Sequence, residues 1–358
     1  MTASVIAQCR AGFEGETARD LAALGAAARS ALATEVRTGS GYVVAAGTAP
    51  LAPRRWWRAL AHEPPVFART LFAGDGPFPL VDPGARTRPD RVTPLLAAIE
   101  ALRTSAPFTS VWVEYPDTNE GKQLGPLARG LEARVSAALR ERHAIDARAP
   151  QRLHVFLPDG TAAWVGVSEA ASGSPWPMGI PRLRMPHAAP SRSTLKLAEA
   201  FVTFPGDDAQ RSLRPGARAV DLGAAPGGWT WQLVQRGLRV TAVDNAALRG
   251  DIAGDPLVTH VREDGLRYRP RRPVDWVTCD IVEAPGSIAQ LMGDWIGEGA
   301  ARHAIFNLKL PMKKRYDEVA RCRDIIAQRL ARAGVRAHLG LRQLYHDRAE
   351  VTGYLERC

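Results

Sequence analysis

ARAVDLGAAPGGWTW, residues 217–231, reads as a short apolar strand, a glycine-rich turn and the opening of a helix. Gly223, Gly227 and Gly228 let a ligand approach the backbone closely, and a helix starting near Gly228 aims free amide N–H groups at it. The chain downstream repeats the same alternation. Strand-like runs fall at 238–244 (LRVTAVD), 257–261 (LVTHV), 274–280 (VDWVTCD), 303–310 (HAIFNLKL) and 335–345 (VRAHLGLRQLY), followed by EVTGYLER from Glu350. Helical stretches separate them, the longest at 315–334, closed by Gly334. This pattern predicts an α/β domain of Rossmann-like type, with a parallel sheet covered on both faces and a ligand site outside the carboxyl ends of the strands.

Upstream, 172–190 (SGSPWPMGIPRLRMPHAAP) holds five prolines, which exclude regular helix and sheet. The expected organisation is an N-terminal α+β domain over 1–172, a Pro-rich linker over 173–190 and the α/β domain over 191–358. In the first domain, strand-like runs at 4–9, 42–46, 67–73 and 108–116 alternate with helical stretches at 16–28, 92–103 and 127–142. Residues 74–90 (GDGPFPLVDPGARTRPD) read as a loop, and 152–168 as a hairpin turning at Pro158-Asp159-Gly160. This half carries no chemical motif. Trp56 and Trp57, set among arginines, are read as core aromatics before RNA-stacking ones. Lys122 could contact phosphate or water equally well.

The 358 residues, 46% of them hydrophobic and 23% charged, have the composition of a globular protein with ample core. No run approaches the ~18 apolar residues that span a bilayer, and Met1–Ala11 lacks the features of a signal peptide. The four cysteines are scattered without metal-ligand spacing, so neither a disulfide framework nor a zinc site is expected, and a reducing cytoplasm fits best. Net charge is +10, of which residues 1–174 carry +2 (19 basic, 17 acidic) and 175–358 carry +8 (28 basic, 20 acidic). Such an excess points to a polyanionic partner, nucleic acid before a membrane surface. Only five of the 47 basic residues are lysines. A chain that uses arginine wherever a positive charge suffices keeps lysine where a removable proton is useful.

The loop after Asp221 departs from the dinucleotide fingerprint G-x-G-x-x-G. Ala225 stands at its third position, and Pro226 removes an N–H that a pyrophosphate would use. S-adenosylmethionine, which has no phosphate, fits instead. Asp244 ends the second strand, where an acid would accept from ribose hydroxyls, and Asp264 follows the third, placed for an adenine amino group. Asp280 ends the fourth strand and can pair with Lys309 at the end of the fifth, where an unpaired lysine would be costly. Lys196, another scarce lysine, precedes the first strand, and Glu350 opens the last.

The run DLGAAPGGWTWQL resembles the first cofactor motif of FtsJ-type ribose 2′-O-methyltransferases. SRSTLKLAEAF, VREDG, CDIVEAP, FNLKLPMKKRYDEV and QLYHDRAEVT resemble more particularly the RlmM family, across essentially all of 190–358. The resemblance implies S-adenosylmethionine as cofactor, a catalytic tetrad of Lys196, Asp280, Lys309 and Glu350, and cofactor contacts from Ser193, Gly223, Ala225, Pro226, Gly227, Gly228, Asp244, Asp264 and Asp280. It further implies methylation of a cytidine 2′-hydroxyl in 23S ribosomal RNA, a THUMP-like RNA-binding domain within 1–172, and neither a metal, a membrane nor an obligate protein partner. Ser191 is as reachable as Ser193 for the methionine end of the cofactor. Gly353-Tyr354 departs from the family's β-prone last strand. Lys309 is expected to be the general base, its pKa lowered by burial and by Lys196, with Asp280 orienting its amine and Lys196 and Glu350 fixing the ribose. A non-catalytic RNA-binding module would have no reason to keep both lysines. Asp280-Ile281-Val282-Glu283 lacks the Pro-Pro-aromatic stretch of amino-directed methyltransferases, Cys279 points away from the site by strand alternation, and His346-Asp347 lacks a nucleophile elbow.

Overall fold

A computed structural model of the chain describes residues 4–47, 53–81, 90–102 and 107–358. Residues 82–89 of the loop-like stretch, Arg103 and the first three residues lie outside the described residues. The chain divides into two compact units, Met1–Pro181 and Arg182–Cys358, and the division falls inside the Pro-rich segment. Met178 and Ile180 of that segment are buried in the first unit.

Among the described residues of the first unit, the elements are β1 (Ser4–Gln8), α1 (Glu14–Ala27), β2 (Leu32–Val36), β3 (Tyr42–Gly47), α2 (Pro53–His62), β4 (Thr70–Pro79), α3 (Val92–Ala101), β5 (Phe108–Glu114), α4 (Asn119–Lys122), α5 (Gly125–Glu141), β6 (Gln151–Phe156) and β7 (Ala162–Glu169). They build one sheet in the order β2-β3-β1-β4-β7-β6-β5. Gly74–Pro79, expected as loop, instead continue β4. Gly74 faces Gly166 of β7, and a Cβ on Gly74 would lie 2.4 Å from the Val165 carbonyl. The glycine is there for close strand approach, not to break the strand. Trp56 and Trp57 on α2 are 2% and 3% exposed, so they are core residues.

The second unit contains α6 (Thr194–Thr203), α7 (Asp207–Ser212), β8 (Arg218–Leu222), α8 (Gly228–Val234), β9 (Arg239–Val243), β10 (Val258–Val261), β11 (Val274–Cys279), α9 (Pro285–Gly297), β12 (Ala301–Lys309), α10 (Arg315–Arg332), β13 (Ala337–Arg342) and β14 (Glu350–Arg357). The sheet order is β10-β9-β8-β11-β12-β14-β13. The expected parallel sheet is found over β10-β9-β8-β11-β12, whereas β14 runs antiparallel to both β12 and β13. Its amino end, Glu350, therefore meets the carboxyl ends of its neighbours. Gly353 keeps β14 regular rather than weakening it, since a Cβ there would sit 2.3 Å from the Phe306 ring on β12. A buried cluster including Phe201, Trp229, Trp276, Ile305 and Tyr354 packs α6 and α8 against the sheet. Among the described residues, no helix is long and apolar enough to cross a membrane.

Candidate active site

The loops leaving β8, β9, β10 and β11 enclose a cleft of about 280 Å³. Gly223, with φ +74°, turns the chain so tightly against the β11 loop that a Cβ would meet Ile281 at 2.7 Å. Asp244 accepts from the Ala225 N–H at 2.9 Å and the Ala246 N–H at 2.8 Å, which fixes both loops. Gly223, Ala225, Asp244, Asp264 and Asp280 line the cleft, whereas Pro226, Gly227, Gly228 and Ser193 are not among its lining residues. Gly227 caps α8 in the left-handed region at φ +114°. The Ser191 and Ser193 hydroxyls are hydrogen-bonded to each other at 2.7 Å and both cover Gly228, so neither displaces the other as a contact.

The electrostatics of this cleft select its ligand. Asp244, Glu263, Asp264 and Asp280 line it, together with apolar Ile281 and the 85%-exposed Val282, and among the described residues no lysine or arginine does. The carboxylates of Asp244, Glu263 and Asp264 disfavour a pyrophosphate and favour a cation with hydroxyl and amino donors, while the charge of Asp280 is balanced by Lys309 and Lys196. A sulfonium nucleoside fits these residues. Beneath the loop, buried Asp221 accepts from Thr230 Oγ1 at 2.6 Å and Thr278 Oγ1 at 2.9 Å, tying β8 to α8 and β11. Burial pushes its carboxyl up to about 7.

At the cleft's edge the four expected residues converge. Lys309 and Glu350 are directly opposed across the β12–β14 ladder. Lys309 Nζ lies 2.5 Å from Asp280 Oδ1 and 3.1 Å from Glu350 Oε2. Lys196 Nζ, delivered by α6, lies 2.5 Å from Glu350 Oε2 and 3.5 Å from Asp280 Oδ2. All four side chains are only 15–21% exposed. Two cations against two anions make a neutral set, which is what makes its partial burial tolerable. A one-residue slip of β14 would turn Glu350 to the other face.

One expectation is overturned. Burial does pull the Lys309 amine down, but the Asp280 and Glu350 carboxylates outweigh it, and the net shift is above the ordinary lysine value. Lys309 is an ammonium at rest. The sequence reading also missed Asn307, which is fully buried on β12 and bonds to Asp280 and Glu350. Its signal was present: a polar residue two positions before Lys309, hence on the same strand face. Cys279 is buried, and its thiol is pushed up to about 12, which leaves it inert. His346 bonds Glu199 at 2.7 Å, and Glu199 also accepts the backbone N–H groups of Tyr345 and His346. The pair therefore anchors the β13–β14 connection.

Comparison with known proteins gives the family. Residues 90–169 match the family model described as ribosomal RNA large subunit methyltransferase M, N-terminal, and residues 189–303 match FtsJ-like methyltransferase. Ribosomal RNA large subunit methyltransferase M of Laribacter hongkongensis is 46% identical over 358 residues, covering 100% of this chain and 98% of its own. The protein of the same name from Methylococcus capsulatus is 47% identical over 353 residues, covering 99% and 98%. Similar to such relatives along its whole length, and with a cleft whose carboxylates suit S-adenosylmethionine, the chain belongs to the ribosomal RNA large subunit methyltransferase M family of S-adenosylmethionine-dependent methyltransferases.

Proposed function

We propose that the protein methylates the ribose 2′-hydroxyl of a cytidine in 23S ribosomal RNA. The observation that carries this reading is the Lys196–Asp280–Lys309–Glu350 cluster at the lip of the carboxylate cleft. A ribose hydroxyl must be aligned and stripped of its proton, and needs neither a planar amide clamp nor a thiol nucleophile.

Asp244 would hold the cofactor's ribose, Asp264 its adenine amino group, and the 223–228 backbone with Ser191 or Ser193 its methionine end. When bound, S-adenosylmethionine supplies a methyl group on a sulfonium, a good leaving group. Lys309 first gives a proton to solvent, before bound RNA closes the site, and the closed, drier site then favours its neutral amine. The free amine then takes the 2′-hydroxyl proton as the oxygen attacks. Asp280 and Glu350 keep two of the Lys309 N–H bonds directed, so that its lone pair faces the ribose. Lys196 and Glu350 grip the ribose from the other side. In this reading the N-terminal unit acts like a THUMP domain, reading the shape of folded RNA. A cytoplasmic location and independence from any obligate protein partner follow from the same reading.

Mapping 2′-O-methylation along 23S RNA from cells with and without the protein tests it. One cytidine should lose its mark. An unchanged map, or a lost base methylation instead, would refute the assignment.

A further inference from the structure

We propose that Asn307 is a positioning residue for the tetrad, and that Thr352 and a protonated Asp347 lock the orientation of its amide. The inference rests on the tetrad's being catalytic. Asn307 and Thr352 oppose each other across the β12–β14 ladder, the next pair inward from Lys309 and Glu350 on the same face. The Asn307 amide donates one hydrogen to Asp280 Oδ1 at 3.0 Å and the other to Glu350 Oε2 at 3.1 Å. These are the two oxygens that Lys309 contacts. Asn307 thus clamps both carboxylates from behind and sets the span in which the Lys309 nitrogen sits. A neutral donor achieves this without disturbing the balance of two cations and two anions. A carboxylate at 307 would add a third anion, and an apolar residue would leave both oxygens held by the lysines alone.

Hydrogen counting extends the network inward. Asn307 Oδ1 accepts from Thr352 Oγ1 at 2.8 Å, and the same hydroxyl lies 2.8 Å from Asp347 Oδ2. A flipped amide would turn Oδ1 onto two carboxylates, so the amide orientation is set by charge. One hydroxyl carries one hydrogen and cannot donate to two acceptors. With that hydrogen on Asn307, Thr352 must accept from Asp347, which therefore holds a proton. The surroundings agree. Asp347 is fully buried, Glu350 and Glu199 are the nearby like charges, and burial foremost pushes its carboxyl up to about 8. The Leu344 N–H, at 3.0 Å from Oδ2, fixes its rotamer.

The test uses the full-length chain and 23S RNA lacking the modification. Asn307→Ala should lower kcat by on the order of 10- to 100-fold, the scale for sub-ångström to ångström misplacement of reacting groups. KM for S-adenosylmethionine and for RNA should stay within about threefold, since Asn307 touches neither. Thr352→Val should share the defect and Thr352→Ser should recover it, which a mere loss of packing would not produce. With only five lysines, side-chain NMR gives a second readout. The Lys196 and Lys309 signals should move in Asn307→Ala and Thr352→Val while Lys122, Lys313 and Lys314 stay. Wild-type kcat in Asn307→Ala beside an inactive Lys309→Ala would overturn the inference alone. Thr352→Ser as impaired as Thr352→Val would overturn the role of the hydroxyl. An active Lys309→Ala would overturn the catalytic reading itself.

Discussion

Each unit of this protein holds a hydrogen-bonded chain of ionisable side chains, and only one of them sits where chemistry can reach it. In the N-terminal unit, His154 Nδ1 lies 2.6 Å from Glu114 Oε2, and its Nε2 lies 2.8 Å from Ser168 Oγ. Serine, histidine and acid are in the order of a hydrolytic triad. Yet all three are 0–1% exposed, with Phe72 stacked on the imidazole at 4.9 Å and Trp112 edge-on at 5.5 Å. His154 lies mid-strand, and Glu114 also accepts the Met178 N–H. In the C-terminal unit the tetrad is comparably bonded, but Asp280, Lys309 and Glu350 stand at strand ends with Lys196 on α6 beside them, all partly exposed at an open cleft. Hydrogen-bond geometry alone records that buried polar groups are satisfied. Access at the strand ends is what makes a bonded cluster a candidate for catalysis.

The sharpest break in that comparison comes from removing one member of each cluster. Lys309→Ala should lower methyl transfer by about 10²–10⁴-fold, the usual scale for a lost general base. Cofactor affinity should stay within a few fold, as read by single-turnover assay and calorimetry. Near-full activity would remove Lys309 from the mechanism. Glu114→Ala should do the reverse. Two buried groups, His154 and the Met178 N–H, lose their acceptor at about 1–3 kcal/mol each. The denaturation midpoint should drop, while the folded fraction transfers methyl groups at the wild-type rate. A stable but inactive Glu114→Ala would make the buried chain a site after all.

Smaller effects sharpen the picture of the cleft. Asp244→Ala should weaken S-adenosylmethionine binding by about 1.5–3 kcal/mol, the scale of hydrogen bonds to a charged group. Unchanged affinity by calorimetry would place the cofactor elsewhere. The pH dependence then reports on Lys309. Because its carboxylate neighbours raise the amine above the ordinary lysine value, the neutral form that the proposed mechanism requires is scarce at neutrality. Its fraction grows tenfold per pH unit, so the single-turnover rate should climb with a slope near +1 from about pH 6.5 to 9. A plateau near neutrality would show an amine lowered in the working complex, and with it a larger role for bound RNA in discharging Lys309.

Much of the C-terminal unit was legible because its function is local. The glycine turn at 223–228, the acids ending successive strands and the scarce lysines each carry their reason within a few residues. The antiparallel β14 was legible too, though not read. Only seven residues, 343–349, separate β13 from β14, too few for the dozen or more that a parallel crossover needs. Other features depend on partners distant in sequence. Gly74 reads as a breaker until Gly166 faces it, and the helix α2 was not read even though its Trp56 and Trp57 were read as core. The direction of the Lys309 shift is a sum over Asp280 and Glu350, 29 and 41 positions away, which no local pattern contains. Asn307 lies between these cases, visible by strand alternation but meaningful only once its acceptors are in place.

The two units should also differ in how they meet RNA, and here the expected effect is smallest. The half after residue 174 carries +8 and the half before it +2. Lys313 and Lys314 are exposed in the loop that follows Lys309, and Arg184 is exposed near the start of the second unit. Removing one cation that pairs with a phosphate should flatten the dependence of log affinity on log salt by about 0.7–0.9. Replacing all three with alanine should thus reduce the slope by roughly 2–3. In the first unit, Lys122 already lies 3.9 Å from Asp117, and Arg129 is exposed on α5. Alanine at these two positions should leave the slope nearly unchanged, because a domain that reads RNA by shape contributes few released counterions. Should the Lys122 and Arg129 pair flatten the slope more than the three C-terminal residues do, the salt-dependent grip would lie with the N-terminal unit. The charge division between the halves would then be background composition rather than a binding surface.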